Sequence, residues 1–223
     1  MHVPVITIDG PSGSGKGAIS RALASRLGWN YLDSGSLYRL LALAALHEGI
    51  ALDDAAALVD LAGQLGGRCS MPATETVAIM LDGEEVSAEL RTEAAGNAAS
   101  QLAVLPAVRR ALLDWQRDCR QPPGLVADGR DMGTVVFPDA ELKLFLTARP
   151  EVRAERRYKQ LKDMGKEANL ADLIEEVKAR DERDATRRTA PLKPAEDAHL
   201  LDNSDALEAA TLAEVLDLVR ERF

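Results

Sequence analysis

The chain has only two cysteines, Cys69 and Cys119, among its 223 residues. Two cysteines do not suggest a disulfide framework, and both thiols are interpreted as small core residues. The first residues also lack a basic segment leading into an apolar stretch, so no secretory signal is expected. These two absences predict a protein of the reducing cytoplasm.

Long apolar runs and an excess of positive charge are also missing. The longest uninterrupted apolar run is the seven residues from Leu40 to Leu46, whereas a membrane helix needs about 20. Lysine and arginine total 27 against 36 acidic residues, which gives a net charge of −9. General binding to nucleic acid depends on neutralising phosphates, and this charge balance opposes it. We therefore expect neither a membrane partner nor a nucleic-acid partner.

Short apolar runs alternate with helical patterns along the chain, and at about 150 residues per domain we expect residues 1–223 to form one domain. Five short strands separated by helices predict an α/β fold of three layers, with a central parallel sheet of five strands. In such a sheet, ligands bind at the carboxyl ends of the strands. The predicted strands are 3–8, 30–32, 125–127, 142–146 and 199–201.

The alternation of strands and helices is interrupted at about 67–92. Residues 76–81 and 84–86 flank Asp82-Gly83, a pair that suits a tight primed turn, so this segment predicts a β-hairpin within an inserted subdomain. Helical patterns follow at 93–101 and 106–120, and two strongly charged helices are predicted at about 150–163 and 169–188.

A glycine-rich stretch lies between the first predicted strand and a helix that begins at Lys16. It fits the pattern glycine, four residues, glycine, lysine, which cradles nucleotide phosphates through backbone N–H groups, a helix N-terminus and the lysine charge. The predicted ATP-binding residues of this loop are Gly10, Pro11, Ser12, Gly13, Ser14, Gly15, Lys16, Gly17 and Ala18.

Switch GTPases and ATPases place a Mg²⁺-binding Ser or Thr directly after this lysine, but here the residue is Gly17. No direct protein ligand for the metal is therefore predicted. Mg²⁺ keeps several waters and can be held through the phosphates, and we expect Asp128 at the end of its strand to steady it. The alternative for Asp128 is a simple strand-end cap. An Asn-Lys-x-Asp guanine motif is also absent, which disfavours a nucleotide-switch binding protein.

Further charged groups point to a second anion site at the same edge of the sheet. Arg130 and Asp131 extend from a central strand, while Ser34 and Arg39 follow the second strand. A helix farther along carries Arg180, Asp184 and Arg187 on one face, a trio that by itself could be a solvated ion-pair face.

Taken together, these segments resemble the bacterial cytidylate kinases over roughly residues 3–220. The resemblance lies in Ile8 to Gly17, in Leu32 to Gly35 with Tyr38-Arg39, and in Ala98 to Gln101. It continues through Ala127 to Pro138 and through Arg180-Asp181 with Arg183-Asp184. The long Asp-Gly-Arg-Asp segment is its most specific part. The departure is Ala18, where such kinases usually carry Thr or Ser, so we expect weaker ATP affinity or a lower rate.

The resemblance implies an ATP-dependent kinase that phosphorylates CMP or dCMP, with Mg²⁺. It also implies that 34–105 forms a monophosphate-binding region containing the insertion, and that 150–188 forms a lid and the helix after it. Arg153, Arg156 or Arg157 of that lid would reach the ATP phosphates. Lys16, Arg130, Arg187 and Asp128 are the predicted catalytic residues. By the resemblance, cytosine would be read by Ser34, Arg109 and Asp131. The acceptor phosphate would be held by Arg39, Arg130 and Arg187. The pentose would be reached by Ser100, Arg180 and Asp184.

Cytosine offers an amine donor at N4, which a carboxylate at Asp131 can accept, whereas uracil presents a carbonyl there. The alternatives left open are a P-loop kinase for another acceptor (UMP, AMP or shikimate) and a nucleotide-switch binding protein. No self-association signal is visible, so a monomer is expected.

Overall fold

The computed structural model describes residues 2–70 and 78–223. Five parallel strands form its main sheet, which confirms the predicted α/β architecture. These strands are β1 (Val5–Asp9), β2 (Asn30–Asp33), β6 (Leu125–Gly129), β7 (Leu142–Thr147) and β8 (His199–Asp202). Their order across the sheet is β2-β6-β1-β7-β8.

Helices cover both faces of this sheet. The helices of the described residues are α1 (Lys16–Leu27), α2 (Ser34–His47), α3 (Ala55–Arg68), α4 (Ser87–Leu90), α5 (Glu93–Leu102), α6 (Pro106–Asp118), α7 (Pro150–Asp163), α8 (Leu170–Thr186) and α9 (Glu208–Arg222). A single π-helical turn, Met132–Val136, follows β6.

The core is divided between the two faces by the alternation of side chains along the strands. Ile6 and Ile8 of β1 face α1 and α9, while Val5 faces α2 and the π-helical turn. Because both faces are covered, all five residues of β1 are buried. A third cluster joins α2, α3, α5 and α6 beside the sheet.

The interruption near 67–92 contains a small antiparallel sheet among the described residues, formed by β3 (Cys69–Ser70), β4 (Met80–Leu81) and β5 (Glu84–Glu85). Asp82 and Gly83 have φ of 51° and 86° and connect β4 to β5, so the predicted hairpin is confirmed. Its first two predicted residues, Thr76 and Val77, lie outside the described residues.

Element boundaries differ slightly from the sequence prediction. The predicted helix 169–188 ends at Thr186, and Arg187 is extended with φ −60° and ψ 138°. Arg187 therefore leaves the helical repeat that put it on one face with Arg180 and Asp184. Among the described residues, no helix combines the length and apolarity that a membrane crossing requires.

Candidate active site

The carboxyl ends of three neighbouring strands bring acidic residues and the glycine-rich loop to one edge of the sheet. Asp9 ends β1 beside Gly129 of β6, and Asp33 ends β2 directly opposite Asp128 of β6. This edge opens into a cleft of about 1140 Å³. The sheet order, in which β6 lies between β1 and β2, thus assembles residues more than ninety positions apart.

The glycine-rich loop is held in place through its own carbonyl groups. Lys16 Nζ donates to Pro11 O at 3.0 Å, Arg153 donates to Ser12 O at 3.0 Å, and Asn203 Nδ2 donates to Ser14 O at 2.8 Å. No side chain caps the N-terminus of α1, whereas Asp33 caps α2. The N-terminal N–H groups of α1 are therefore left for an anion.

Gly10 shows why this loop needs glycine. Its φ is 155°, and a Cβ there would lie 2.0 Å from the carbonyl oxygen of Leu146 on β7. Any larger residue would collide with the neighbouring strand and displace the loop from the strand ends.

Lys16 and Asp128 are both buried and face each other across this edge. Burial, and then the charge of Arg130, lowers the pKa of Lys16 from its ordinary 10.5. Burial, and then the charge of Asp33, raises the pKa of Asp128, whose Oδ2 accepts a hydrogen bond from the Tyr31 hydroxyl at 2.7 Å. A Cβ on Gly17 would lie 3.6 Å from Asp128 Oδ2, so this carboxylate lies next to the phosphate loop.

Opposite the loop, arginines from several elements converge. Arg130 Nε donates to Asp184 Oδ2 at 2.9 Å, and Arg39 donates to Leu90 O at 2.5 Å. A Cβ on Gly96 of α5 would lie 3.2 Å from Arg180 and 3.3 Å from Arg39, so the tips of both guanidinium groups meet over this glycine. Burial, and then the charge of Arg130, lowers the pKa of Arg180 to about 10.

Several buried polar atoms of this cluster have no hydrogen-bond partner within the protein. Ser100 Oγ, Arg180 Nε and one terminal nitrogen of Arg187 are buried and have no hydrogen-bond partner. Leaving buried donors unpaired costs stability, and unpaired arginine donors that line a cleft are typical of a site for an anionic ligand. The predicted alternative of a solvated ion-pair face does not hold for Asp184 and Arg187, because Asp184 is 5% exposed and Arg187 9% exposed.

A third group of side chains lies between these arginines and α6. Arg109 of α6 forms an ion pair with Asp131, and the guanidinium of Arg109 lies 5.9 Å from the centre of the Tyr38 ring. Arg187 approaches the other oxygen of Asp131 at 3.9 Å. Ser34 Oγ donates to Gln116 Oε1 at 2.7 Å. The three residues predicted to read cytosine thus line the same cleft.

Asp9 connects the loop to the arginine side. Its two carboxylate oxygens accept hydrogen bonds of 2.8 Å each from Met132 N and Gly133 N, the first residues of the π-helical turn after Arg130-Asp131. Burial raises the pKa of Asp9 to about 7, and the hydrogen bonds from the two N–H groups only partly offset this increase. One carboxylate therefore ties the start of the loop to the segment that carries Arg130 and Asp131.

The predicted site residues do not all reach the cleft. Those that line it are Ser12, Gly13, Lys16, Gly17, Ser34, Arg39, Ser100, Arg109, Asp128, Arg130, Asp131, Arg157, Arg180, Asp184 and Arg187. Arg153 and Arg156 do not line it, because Arg153 is 2% exposed and pairs with Asp181, and Arg156 donates to Asn203 at 2.7 and 3.1 Å. Both instead support the loop from outside, and a contact with ATP stays a prediction for them.

Sequence reasoning missed Asp9, Gly96 and Gln116. The spacing of Gln116, seven residues after Arg109, was a signal, since residues two turns apart share a helix face. Asp9 and Gly96 left no such signal, because their partners are distant in sequence.

The fold and the loop together define a P-loop kinase, with a phosphate cradle on one side of a cleft and unpaired guanidinium donors on the other. The cytidylate kinase family model matches residues 6–221. A cytidylate kinase from Aeromonas salmonicida is 56% identical over 220 residues, 99% of this chain and 95% of its own length. One from Methylococcus capsulatus is 57% identical, over 91% of this chain and 90% of its own. The chain belongs to the cytidylate kinase family.

Among solved structures, a shikimate kinase from Bacteroides thetaiotaomicron covers 97% of this chain and 98% of its own at 16% identity, with a TM-score of 0.48.

Proposed function

We propose that this chain transfers the γ-phosphoryl group of ATP to CMP or dCMP, giving ADP and CDP or dCDP, in the cleft between the glycine-rich loop and the arginine cluster. Membership of the cytidylate kinase family supports the reaction. The observation that carries the site is the set of buried donors on Ser100, Arg180 and Arg187 that have no hydrogen-bond partner, across the cleft from Lys16.

The arrangement suits phosphoryl transfer because that reaction depends on positioning and charge stabilisation. Lys16 and the N-terminus of α1 would bind the ATP phosphates. Arg39, Arg130 and Arg187 would bind the acceptor phosphate, and Ser100, Arg180 and Asp184 the pentose. An acceptor phosphate is already ionised at neutral pH, so no general base is needed.

Mg²⁺ would neutralise charge on the transferred phosphates. Within residues 2–70 and 78–223, no group of three or more His, Cys, Asp or Glu side chains is placed to hold a metal. Asp128, buried beside Asp33 and next to Gly17, fits a metal held mainly by phosphate and water. We also propose that the protein acts as a monomer in the cytoplasm, where both of its unpaired cysteines would stay reduced.

The test measures ADP release from Mg-ATP in a coupled assay, with CMP, dCMP, UMP, AMP, GMP and shikimate as acceptors and an acceptor-free control. We expect strong turnover with CMP and dCMP and little with UMP. Turnover with another acceptor alone would keep the fold but overturn the roles of Ser34, Arg109 and Asp131. ATP binding without turnover on any acceptor would favour a nucleotide-switch binding protein.

A further inference from the structure

Arg109, Leu112 and Gln116 are three of the four buried residues of α6, and their spacings of three and four place them on one face of the helix. Arg109 contacts Asp131, and Gln116 contacts Ser34. One helix face therefore touches two of the groups proposed to read the base. Arg109 forms an ion pair with Asp131, which is proposed to bind the base, and Arg109 itself lines the cleft. Gln116 is 2% exposed and does not line the cleft.

The orientation of the Gln116 amide follows from its two partners. Its Nε2 lies 3.1 Å from the carbonyl oxygen of Leu112, and its Oε1 lies 2.7 Å from Ser34 Oγ. A carbonyl oxygen can only accept, so the NH₂ group must face Leu112. The opposite orientation would bring two oxygens together and leave a buried amide unsatisfied.

This orientation determines what Ser34 can do. A serine hydroxyl has one proton and two lone pairs. Because Gln116 Oε1 cannot donate, the Ser34 proton is committed to it, and only the lone pairs of Ser34 remain for a ligand. In the described part of the chain, no group donates to Ser34 Oγ, so these lone pairs are available in the cleft that Ser34 lines.

We propose that Gln116 is a positioning residue for base specificity. It holds the Ser34 hydroxyl as a hydrogen-bond acceptor, so the site selects a pyrimidine with an exocyclic amine and rejects one with a carbonyl at that position. The inference rests on the proposed function. A hydroxyl free to rotate would accept from cytosine N4 and donate to uracil O4 equally well, and would not discriminate between them.

The test compares the ratio of kcat/KM for CMP to that for UMP in the wild type, Gln116→Met, Gln116→Glu, Ser34→Ala and the double variant Gln116→Met/Ser34→Ala. Gln116→Met removes the acceptor, and we expect the ratio to fall about fivefold to tenfold, the size of one neutral hydrogen bond. The KM for ATP should stay within about twofold, because the Gln116 side chain hydrogen-bonds to Ser34 and Leu112 and to no residue of the phosphate loop. A purely structural role would lower both kcat/KM values together and leave the ratio unchanged.

Gln116→Glu is the conservative rescue, because a buried, protonated glutamic acid donates to Leu112 and still accepts from Ser34. Assayed near pH 6, it should keep the wild-type ratio within about twofold, since the carbonyl of Leu112 and burial both favour the protonated acid. In the Ser34→Ala background, Gln116→Met should change the ratio no further. Additive effects in this cycle would overturn the proposal.

If the Gln116 variants do not fold, Ser34→Ala provides an independent test. It should lower kcat/KM for CMP without lowering it for UMP, since uracil loses a repulsive contact and no hydrogen bond. A parallel loss for UMP would mean that Ser34 can donate, and the inference would be wrong. Failure of the wild type to use CMP would instead overturn the proposed function itself.

Discussion

The two sides of the cleft are built in different ways. The side that would bind ATP, the phosphoryl donor, is called the donor side. It is one continuous stretch of backbone, residues 10–17, and its only charged group is Lys16. The acceptor side draws Arg39, Ser100, Arg109 and Arg180 from four different helices. Substitutions other than to proline leave a backbone N–H group in place, whereas each guanidinium group is lost when its arginine is replaced. We therefore expect the acceptor side to be the more sensitive to side-chain changes.

Removing the half-buried guanidinium of Arg180 from the acceptor side should give the largest effect. We expect Arg180→Met to lower kcat/KM for CMP by about 10-fold to 100-fold, the size of one hydrogen bond from a charged donor to the pentose. ATP binding, measured by calorimetry, should change little. The matched control is Arg183→Met, which replaces an exposed arginine three residues along the same helix. Equal losses in the two variants would contradict a specific role for Arg180.

The connection between the two sides through Asp9 should appear in the pH dependence of stability. Burial raises the pKa of Asp9 from 3.8 to about 7, so this group favours the folded state most below its unfolded pKa, and the contribution is lost as pH rises through 7. Asp9→Asn should therefore cost more free energy of unfolding at pH 5 than at pH 7, with a change of roughly 1 kcal/mol per pH unit.

Urea unfolding of the wild type and Asp9→Asn at pH 5, 6 and 7 measures this difference. At every pH the variant should also lose stability, because one of the N–H groups of Met132 and Gly133 then faces an amide NH₂ group. A cost that does not change with pH would show that Asp9 stays ionised throughout.

A side-chain hydroxyl added to the donor side should have a moderate effect. Ala18 lies in the first turn of α1, where Thr would add a donor for the ATP phosphates. We expect Ala18→Thr to lower the KM for ATP or raise the turnover by about fivefold, the size of one neutral hydrogen bond. Ala18→Val has the same branched shape without the hydroxyl and should lack the gain. The prediction fails if Ala18→Thr leaves both constants unchanged.

A methyl group added beside the arginine cluster should have the smallest effect on activity. It should weaken CMP use while it stabilises the fold, so the two effects have opposite directions. Gly96→Ala places a methyl group 3.2 Å from Arg180 and 3.3 Å from Arg39, and we expect the KM for CMP to rise about twofold to threefold through this small displacement. Replacing a helical glycine should at the same time stabilise α5 by about 0.5–1 kcal/mol.

Gly63→Ala in α3 is the control, since a Cβ there meets nothing within 4 Å. It should raise the melting temperature without changing the KM for CMP. A rise in KM for both variants would show that the effect is not local to the guanidinium groups.

Local sequence patterns were sufficient to predict the strands, most of the helix boundaries and the phosphate loop. These features depend on local patterns, such as apolar alternation, glycine spacing and a lysine at a helix start, which act within about ten residues. The helix α1 begins where the pattern predicts, at Lys16. The hairpin at Asp82-Gly83 is equally local.

The roles of the charged side chains, in contrast, depend on contacts between segments that are distant in sequence. Arg153, Arg156 and Arg157 look alike in sequence, but only Arg157 lines the cleft, since Arg153 is held by Asp181, 28 positions away, and Arg156 by Asn203. Whether the Ser34 hydroxyl donates to a ligand or accepts from it likewise depends on Gln116, which is 82 positions away. Hydrogen-bond partners and burial set the chemistry of a polar group, and both come from contacts between distant segments that no local pattern records.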